Sequence, residues 1–336
     1  MYTIHEQTWD FVESTIIPQY PHVPIEQTRA WASYQQTIEG RTPWGVLSIA
    51  RDGVVAAYVS LFDYQTHGYH YLRSHHGPVW VEQPSEQEER EALEALRDFV
   101  RAKDKRQLFV RLSVDADLDI CQPVLSGIPY DTTVFVDVTG GDEEILSRMK
   151  TRGRRDVRKS LREAPVTCAD ETEQALESFR EYYAVMEDTA QRDGFTPAPI
   201  SDYEQMLACL GKEHSRVFAA RLEETGAVCA WSLYTISGTL ATRYYAASAT
   251  EVMRLHVADR LCYFELCEVG RNGIVDVDLM AVGSDFCPQL KGLNGFKCKF
   301  AKETVRVAPD RDLPVRAGAY GLLVTAKSLR SKLRGE

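Results

Sequence analysis

Two periods run through this chain, one of strands and one of helices. Apolar residues crowd 44–50 and 54–62 in the dense pattern of half-buried strands, and Asp52-Gly53 between them fits a tight hairpin. Before them, Trp31 and Tyr34 stand at helical spacing, so a helix is predicted within 22–40. Segments 69–73 and 79–81 continue the sheet. Pro84-Ser85 then opens a helix, Glu88 completes a capping box, and Leu93, Leu96 and Val100 form one apolar stripe. The next strand is 108–114.

The second half repeats this order. A helix is predicted over 172–191, with Leu176, Phe179, Tyr183 and Met186 on one face. Strands 216–222 and 227–236 make a hairpin, Ser237-Gly238 turns the chain into a strand over 240–247, and a helix over 252–269 leads to a strand at 274–280. Gly53-Val54-Val55-Ala56-Ala57-Tyr58 is echoed by Gly226-Ala227-Val228-Cys229-Ala230-Trp231, which points to two copies of a βββ-α-β unit. Helices alternating with hairpins imply a mixed α/β sheet in each half. The junction falls at Thr139-Gly140-Gly141, where Asp142 is expected to cap a new helix carrying Ile145 and Met149. The domains are thus expected at 1–139 and 140–310.

Composition narrows the function. The 336 residues suffice for two domains of ordinary size. A net charge of -10 argues against wholesale polyanion binding, so any nucleic-acid contact must be a local patch. The eight cysteines are scattered and show no CxxC, which argues against structural zinc and fits a reducing cytoplasm. Residues 1–11 lack the basic and apolar regions of a signal peptide, and no apolar run approaches the ~20 residues of a membrane helix. A cytoplasmic protein without a metal centre is expected.

Three stretches carry candidate chemistry. Between Lys150 and Arg162 there are seven cations in thirteen residues, and on a helix Arg154, Arg155, Arg158, Lys159 and Arg162 share one broad face, either a solvated one or one that attracts phosphates. In Arg243-Tyr244-Tyr245-Ala246-Ala247-Ser248, neighbouring side chains of a strand point to opposite faces, so one tyrosine can be core while the other lines a cleft. In Gly292-Leu293-Asn294-Gly295-Phe296-Lys297-Cys298-Lys299-Phe300-Ala301, a short turn near a strand end would either set one cation beside a reacting centre or leave a solvated lysine between two core phenylalanines. Lys297 is the candidate cation, and Lys299 is expected to face away. Glu223, Glu224, Asp276, Asp278 and Asp285 are candidate bases by type alone, Asp276 and Asp278 sharing one strand face. No Ser/His/Asp or Cys/His spacing supports a nucleophile, and His75-His76 reads as a turn rather than a metal site.

Gly292-Leu293-x-x-Phe296-Lys297-x-x-Phe300 resembles the closing motif of the FemABX family, aminoacyl-tRNA-dependent transferases that build peptidoglycan cross-bridges. Tyr71-Leu72-Arg73 with Gly77-Pro78-Val79, Tyr130 to Val134, Arg152 to Lys159, Arg192-Asp193-Gly194-Phe195 and Tyr245-Ala246-Ala247-Ser248 follow in the family's order, over nearly the whole chain. The resemblance implies two tandem GNAT-like folds, with the tail 311–336 returning to the first and 317–333 forming the returning helix. It also implies transfer of an amino acid from aminoacyl-tRNA to the stem-peptide amine of a peptidoglycan precursor, nucleotide-linked or lipid-linked. Lys297 and Phe296 would be catalytic. Tyr245, Arg243, Arg73 and Arg192 would meet the precursor, and Arg152, Arg154, Arg155, Arg158 and Lys159 would meet tRNA phosphates. The same reading expects a monomer with no cofactor, no DNA partner and at most peripheral membrane contact.

Departures from the family pattern fall at Ala198 and Asp202, where an arginine and a tyrosine are usual, at Gln35 in place of a lysine, and at Ser113, with Asp115 nearby, in place of an aspartate. The run 171–203 leaves no room for the coiled-coil arm of longer members, so the chain resembles the compact ones. Two rivals stand beside this reading. An acetyl-CoA N-acetyltransferase needs a glycine-rich turn for the pyrophosphate, and 248–256 has no glycine and carries Glu251. The other rival is a non-catalytic module that binds tRNA or precursor.

Overall fold

The computed structural model describes residues 1–20 and 22–334, with side chains to 329. The chain divides into two compact units, one made of Met1–Asp131 with Val307–Glu336 and the other of Thr132–Arg306. The division precedes the Thr139-Gly140-Gly141 turn because Phe135–Asp137 is already a strand of the second sheet, paired antiparallel with Asp276–Asp278.

In the first unit, β1 (Tyr2–Gln7), β2 (Arg41–Arg51), β3 (Val54–Thr66) and β4 (Tyr69–Arg73) form an antiparallel run, and β5 (Gln107–Ser113) joins β4 in parallel. Asp52 and Gly53 both take positive φ, 51° and 86°, in the β2–β3 turn. Helix α1 spans Arg29–Gln35. Helix α2, Glu86–Lys103, makes the β4-to-β5 crossover and begins with the Ser85–Glu88 capping box. Its Leu93, Leu96 and Val100 are fully buried with Leu47, Ile49, Val59 and Leu112 of the sheet.

The second unit holds β6 (Phe135–Asp137), β7 (Val166–Asp170), β8 (Ser215–Leu222), β9 (Val228–Ser237), β10 (Leu240–Ser248) and β11 (Asp276–Asp278), in the sheet order β6-β11-β10-β9-β8-β7. Its helices are α3 (Asp142–Arg148), α4 (Thr151–Glu163), α5 (Thr172–Glu177), α6 (Arg180–Asp193), α7 (Ile200–His214), α8 (Val257–Arg271) and α9 (Lys291–Lys297). The predicted helix over 172–191 is two helices, broken at Ser178 and Phe179. Leu176 is exposed, while Phe179, Tyr182 and Met186 are buried. Gly141 occupies the N-cap expected of Asp142, which stands in the first turn. Residues 194–199 alone link α6 to α7, so no arm intervenes. The chain then returns to the first unit as β12 (Asp310–Pro314), antiparallel to β5, and α10 (Ala317–Arg334).

The two sheets share one topology, an antiparallel run closed by a parallel pair and a final antiparallel strand. In each, one helix crosses over to form the parallel pair, α2 between β4 and β5 and α8 between β10 and β11. The sequence echo at Gly53 and Gly226 thus marks the entry to the same strand of both units. Among the described residues no helix is long and apolar enough to cross a membrane.

Candidate functional site

The Phe296-Lys297 motif sits on a short helix rather than a turn. Helix α9 ends at Lys297, and Asn294 one turn earlier fastens it to the loop after β11. The Asn294 side chain accepts from the Gly283 amide at 2.7 Å and donates to its carbonyl at 2.9 Å. Only glycine fits there, since a Cβ on Gly283 would lie 2.2 Å from the Lys291 nitrogen. At the start of the same loop Met280 takes φ 62°, and its amide is tied to Asp278 Oδ1 at 2.7 Å. Asp278 also accepts from the Thr133 hydroxyl. Such a left-handed, side-chain-pinned residue beside a candidate site is stored local strain.

Lys297 points into this frame. Its Nζ donates to the Ala281 carbonyl at 3.0 Å and the Met280 carbonyl at 3.3 Å, which leaves a third hydrogen for a ligand. Burial, with the Arg243 cation adding to it against Asp278, lowers the Lys297 pKa to about 8. The ammonium therefore predominates at neutral pH but is easily given up.

Arg243 and Phe296 complete the cluster. The Arg243 guanidinium lies 6.0 Å from the centre of the Phe296 ring, and its Nε donates to Glu265 Oε2 at 2.8 Å. Glu265 is fully buried on α8 and also accepts from the Ser232 hydroxyl and, at 3.0 Å, from the Tyr234 hydroxyl. A lone buried carboxylate is costly, so these donors are what hold it. Phe296 packs edge-on to Phe300 at 5.2 Å and borders the core.

Lys299 does not face away. It is 7% exposed, pairs with Asp259 and with Asp156 at 3.4 Å, and lies 5.2 Å from the Phe296 ring centre. The α9 helix and the turn after it wrap the chain inward, where the expected two-residue alternation would have turned Lys299 outward. Helix α4 packs on this turn: a Cβ on Gly153 would stand 2.2 Å from the Lys299 carbonyl oxygen, and the Lys150 amide donates to that oxygen at 3.1 Å.

Beyond that anchor, α4 buries Gly153, Val157 and Ser160 and exposes the opposite side. Arg152, Arg155, Arg158, Lys159 and Arg162 are exposed, and at 100° per residue they span about 120° of the helix. Arg154, assigned to that face from the sequence, folds back instead to the Met149 carbonyl at the end of α3 and is half-buried. Asp156 pairs with Arg152 and Arg155 at 3.5 and 3.1 Å, whereas Arg158 has no ion pair among the described residues.

The remaining candidates lie elsewhere. A bulge in β10 at Tyr244 sets Arg243 opposite Tyr234 but Tyr245 opposite Leu233. Tyr245 is thereby turned from the α8 side to the other face of the sheet, where its ring meets Tyr203 of α7 at 4.9 Å. Arg192 shares that face: it donates to the Ser248 carbonyl at 2.7 Å and pairs with Asp193, locking α6 to the end of β10. Arg73 belongs to the first unit and donates to Asp310 at 3.4 Å. Gln35, in the same unit, is buried and accepts from Tyr64 and Arg41 at 3.0 and 3.2 Å. Glu223, Glu224 and Asp285 are exposed, Asp285 beside Lys291. Glu265 escaped sequence reading, although a carboxylate inside the apolar stripe Leu261, Cys262, Leu266 and Val269 was its signal.

No protein-family model and no curated protein matches the sequence. Solved structures do match the fold. The structure of FemX superposes with a TM-score of 0.72 over 96% of this chain and 99% of its own, at 17% identity. The fold is FemX-like. A tandem GNAT protein from the clavulanic acid biosynthesis pathway reaches 0.51 over 94% of this chain and 99% of its own, at 12% identity. L-PGS from Bacillus licheniformis reaches 0.50 over 89% and 91%, at 13% identity. The tandem GNAT-like architecture read from the sequence thus holds for both units.

Proposed function

We propose that this protein is an acyltransferase that moves an amino acid from aminoacyl-tRNA to the stem-peptide amine of a peptidoglycan precursor. The observation that carries this reading is Lys297: a half-buried ammonium, with one N–H to spare and Arg243 beside it, at the end of a pinned helix in a FemX-like fold.

In the reaction, the amine nitrogen attacks the ester carbonyl carbon. A C–N bond forms, the C–O bond to the 3′ ribose breaks, and the proton lost by the amine balances the one gained by the leaving hydroxyl. Negative charge builds on the carbonyl oxygen. A fixed N–H donor there is worth about 3 kcal/mol of barrier. Lys297 supplies such a donor, and Phe296 between Arg243 and Lys299 orders the helix end. The exposed arginines of α4, with Lys159, offer a salt-sensitive grip on tRNA phosphates.

Acetyl-CoA chemistry draws no support from α8. Its first turn carries Asp259, held by Lys299, and its N-cap is His256 with no glycine loop before it, so the helix start does not invite a pyrophosphate. The test is a transfer assay with each charged tRNA against nucleotide-linked and lipid-linked precursors. Aminoacylation of the stem-peptide amine in one pairing is expected. Tight acetyl-CoA binding with no aminoacyl transfer in any pairing would overturn the reading.

A further inference from the structure

The last helix is out of keeping with the rest of the molecule. Its root is fixed: the Tyr320 ring meets Phe109 at 5.3 Å, and its hydroxyl donates to Asp312 at 3.1 Å. Past Tyr320 the helix leaves the core, and of residues 321–329 all but Leu323 are exposed. Leu322 is 73% exposed and Leu329 57%. With Ala326 they stand at i, i+4 and i+7, a narrow apolar stripe along one side. Lys327 stands on the other side of the helix, at least about 100° round from each of them, and the sequence adds Arg330, Lys332 and Arg334 to the same helix, so 317–334 holds four cations and no Asp or Glu. That segment belongs to a protein of net charge -10.

We propose that α10 docks on an anionic phospholipid surface, laying Leu322 and Leu329 into the interface with its cations toward the headgroups. Exposed leucines along one side of a helix whose only charged residues are lysines and arginines are what an in-plane helix needs, and each cation near an anionic leaflet adds attraction that salt screens. Charge decides the partner. A second copy would bring like-charged helices together, whereas a negative membrane complements a helix without acids. Among the described residues the helix is not long and apolar enough to cross a bilayer. This inference is independent of the transfer reading.

The test is co-sedimentation of the full chain with vesicles of phosphatidylcholine alone or with phosphatidylglycerol added, at low and high salt. Binding is expected to the anionic vesicles only and to weaken with salt. Leu322→Asp with Leu329→Asp, both at exposed positions, is expected to cut partitioning by roughly an order of magnitude or more at unchanged melting temperature. Transfer to a water-soluble acceptor should stay the same, which separates this test from that of the reaction. No binding by the parent protein, or equal binding by the double variant, overturns the proposal. So does a dimer of the parent protein that the double variant abolishes.

Discussion

Each unit buries an arginine against a carboxylate, and the two pairs are finished differently. In the first, Arg111 donates to Asp312 at 2.7 and 3.0 Å and spends its remaining Nη1 on Ser126. Asp312 also accepts from the Leu125 amide and the Tyr320 hydroxyl. In the second, Arg243 gives Nε and Nη2 to Glu265, while Nη1 meets no partner among the described residues. A second cation, Lys297, stands near enough that Arg243 depresses its pKa. A closed network ties β5, β12 and α10 together and can do little else. An open one beside a pinned lysine retains donors for a ligand. The comparison teaches that burial of charge marks structure when every donor is spent and a candidate site when some are not.

Breaking the closed pair should show the largest change in stability. Asp312→Ala leaves Arg111 buried and unpaired, at a cost of about 3 to 5 kcal/mol. Denaturant unfolding is the measurement, and protein that remains folded should keep its transfer rate. Lys297→Met is the converse: no loss of stability at neutral pH, because a cation that burial disfavours is removed, with turnover down about a hundred- to a thousand-fold. A rise in KM at unchanged turnover would instead make Lys297 a binding group. Lys299→Met should resemble the Asp312 variant, losing about 3 kcal/mol, because Asp259 loses its lysine and Asp156 keeps only the exposed Arg152 and Arg155. A silent Lys299→Met would contradict the burial described above.

Smaller effects sharpen the picture. The Lys297 pKa is lowered on folding, so between about 8 and its ordinary 10.5 the unfolded chain holds the extra proton. Stability of the parent protein relative to Lys297→Met should therefore rise with pH across that window, and a flat or falling difference would deny the burial. Last, replacing Arg155, Arg158 and Lys159 with alanine should weaken tRNA binding and reduce its salt slope by about one per lost contact, leaving unfolding unchanged. An unaltered slope would return that face to solvent.

Much of the fold could be read ahead of the structure. Asp52-Gly53 and Ser85 with Glu88 act through local chemistry that needs no partner, and both appear as expected. The repeated sheet order was legible because the strands that open each hairpin are apolar on both faces. What stayed hidden depends on tertiary contact. The break at Phe179 exists because that ring stacks on Tyr203 at 5.3 Å, across a helix the periodicity did not announce. Tyr245 changed faces through a single bulge, which no two-residue alternation can foresee. Of the candidate site, Lys297, Phe296 and Arg243 were named from motif and type and do lie together. Glu265, which holds Arg243, and Asn294, which holds α9, act through geometry alone.

The central claim is that the Lys297 ammonium stabilises the developing oxyanion of aminoacyl transfer. The most direct measurement is single-turnover transfer from charged tRNA to a stem-peptide amine, by the parent protein and by Lys297→Met, on both sides of pH 8. The ratio of parent to variant rate, in which the titration of the acceptor amine cancels, should be large below pH 8 and fall as pH rises past about 8, where the cation is lost. Equal rates for the two proteins, or the same pH profile in both, would contradict the account.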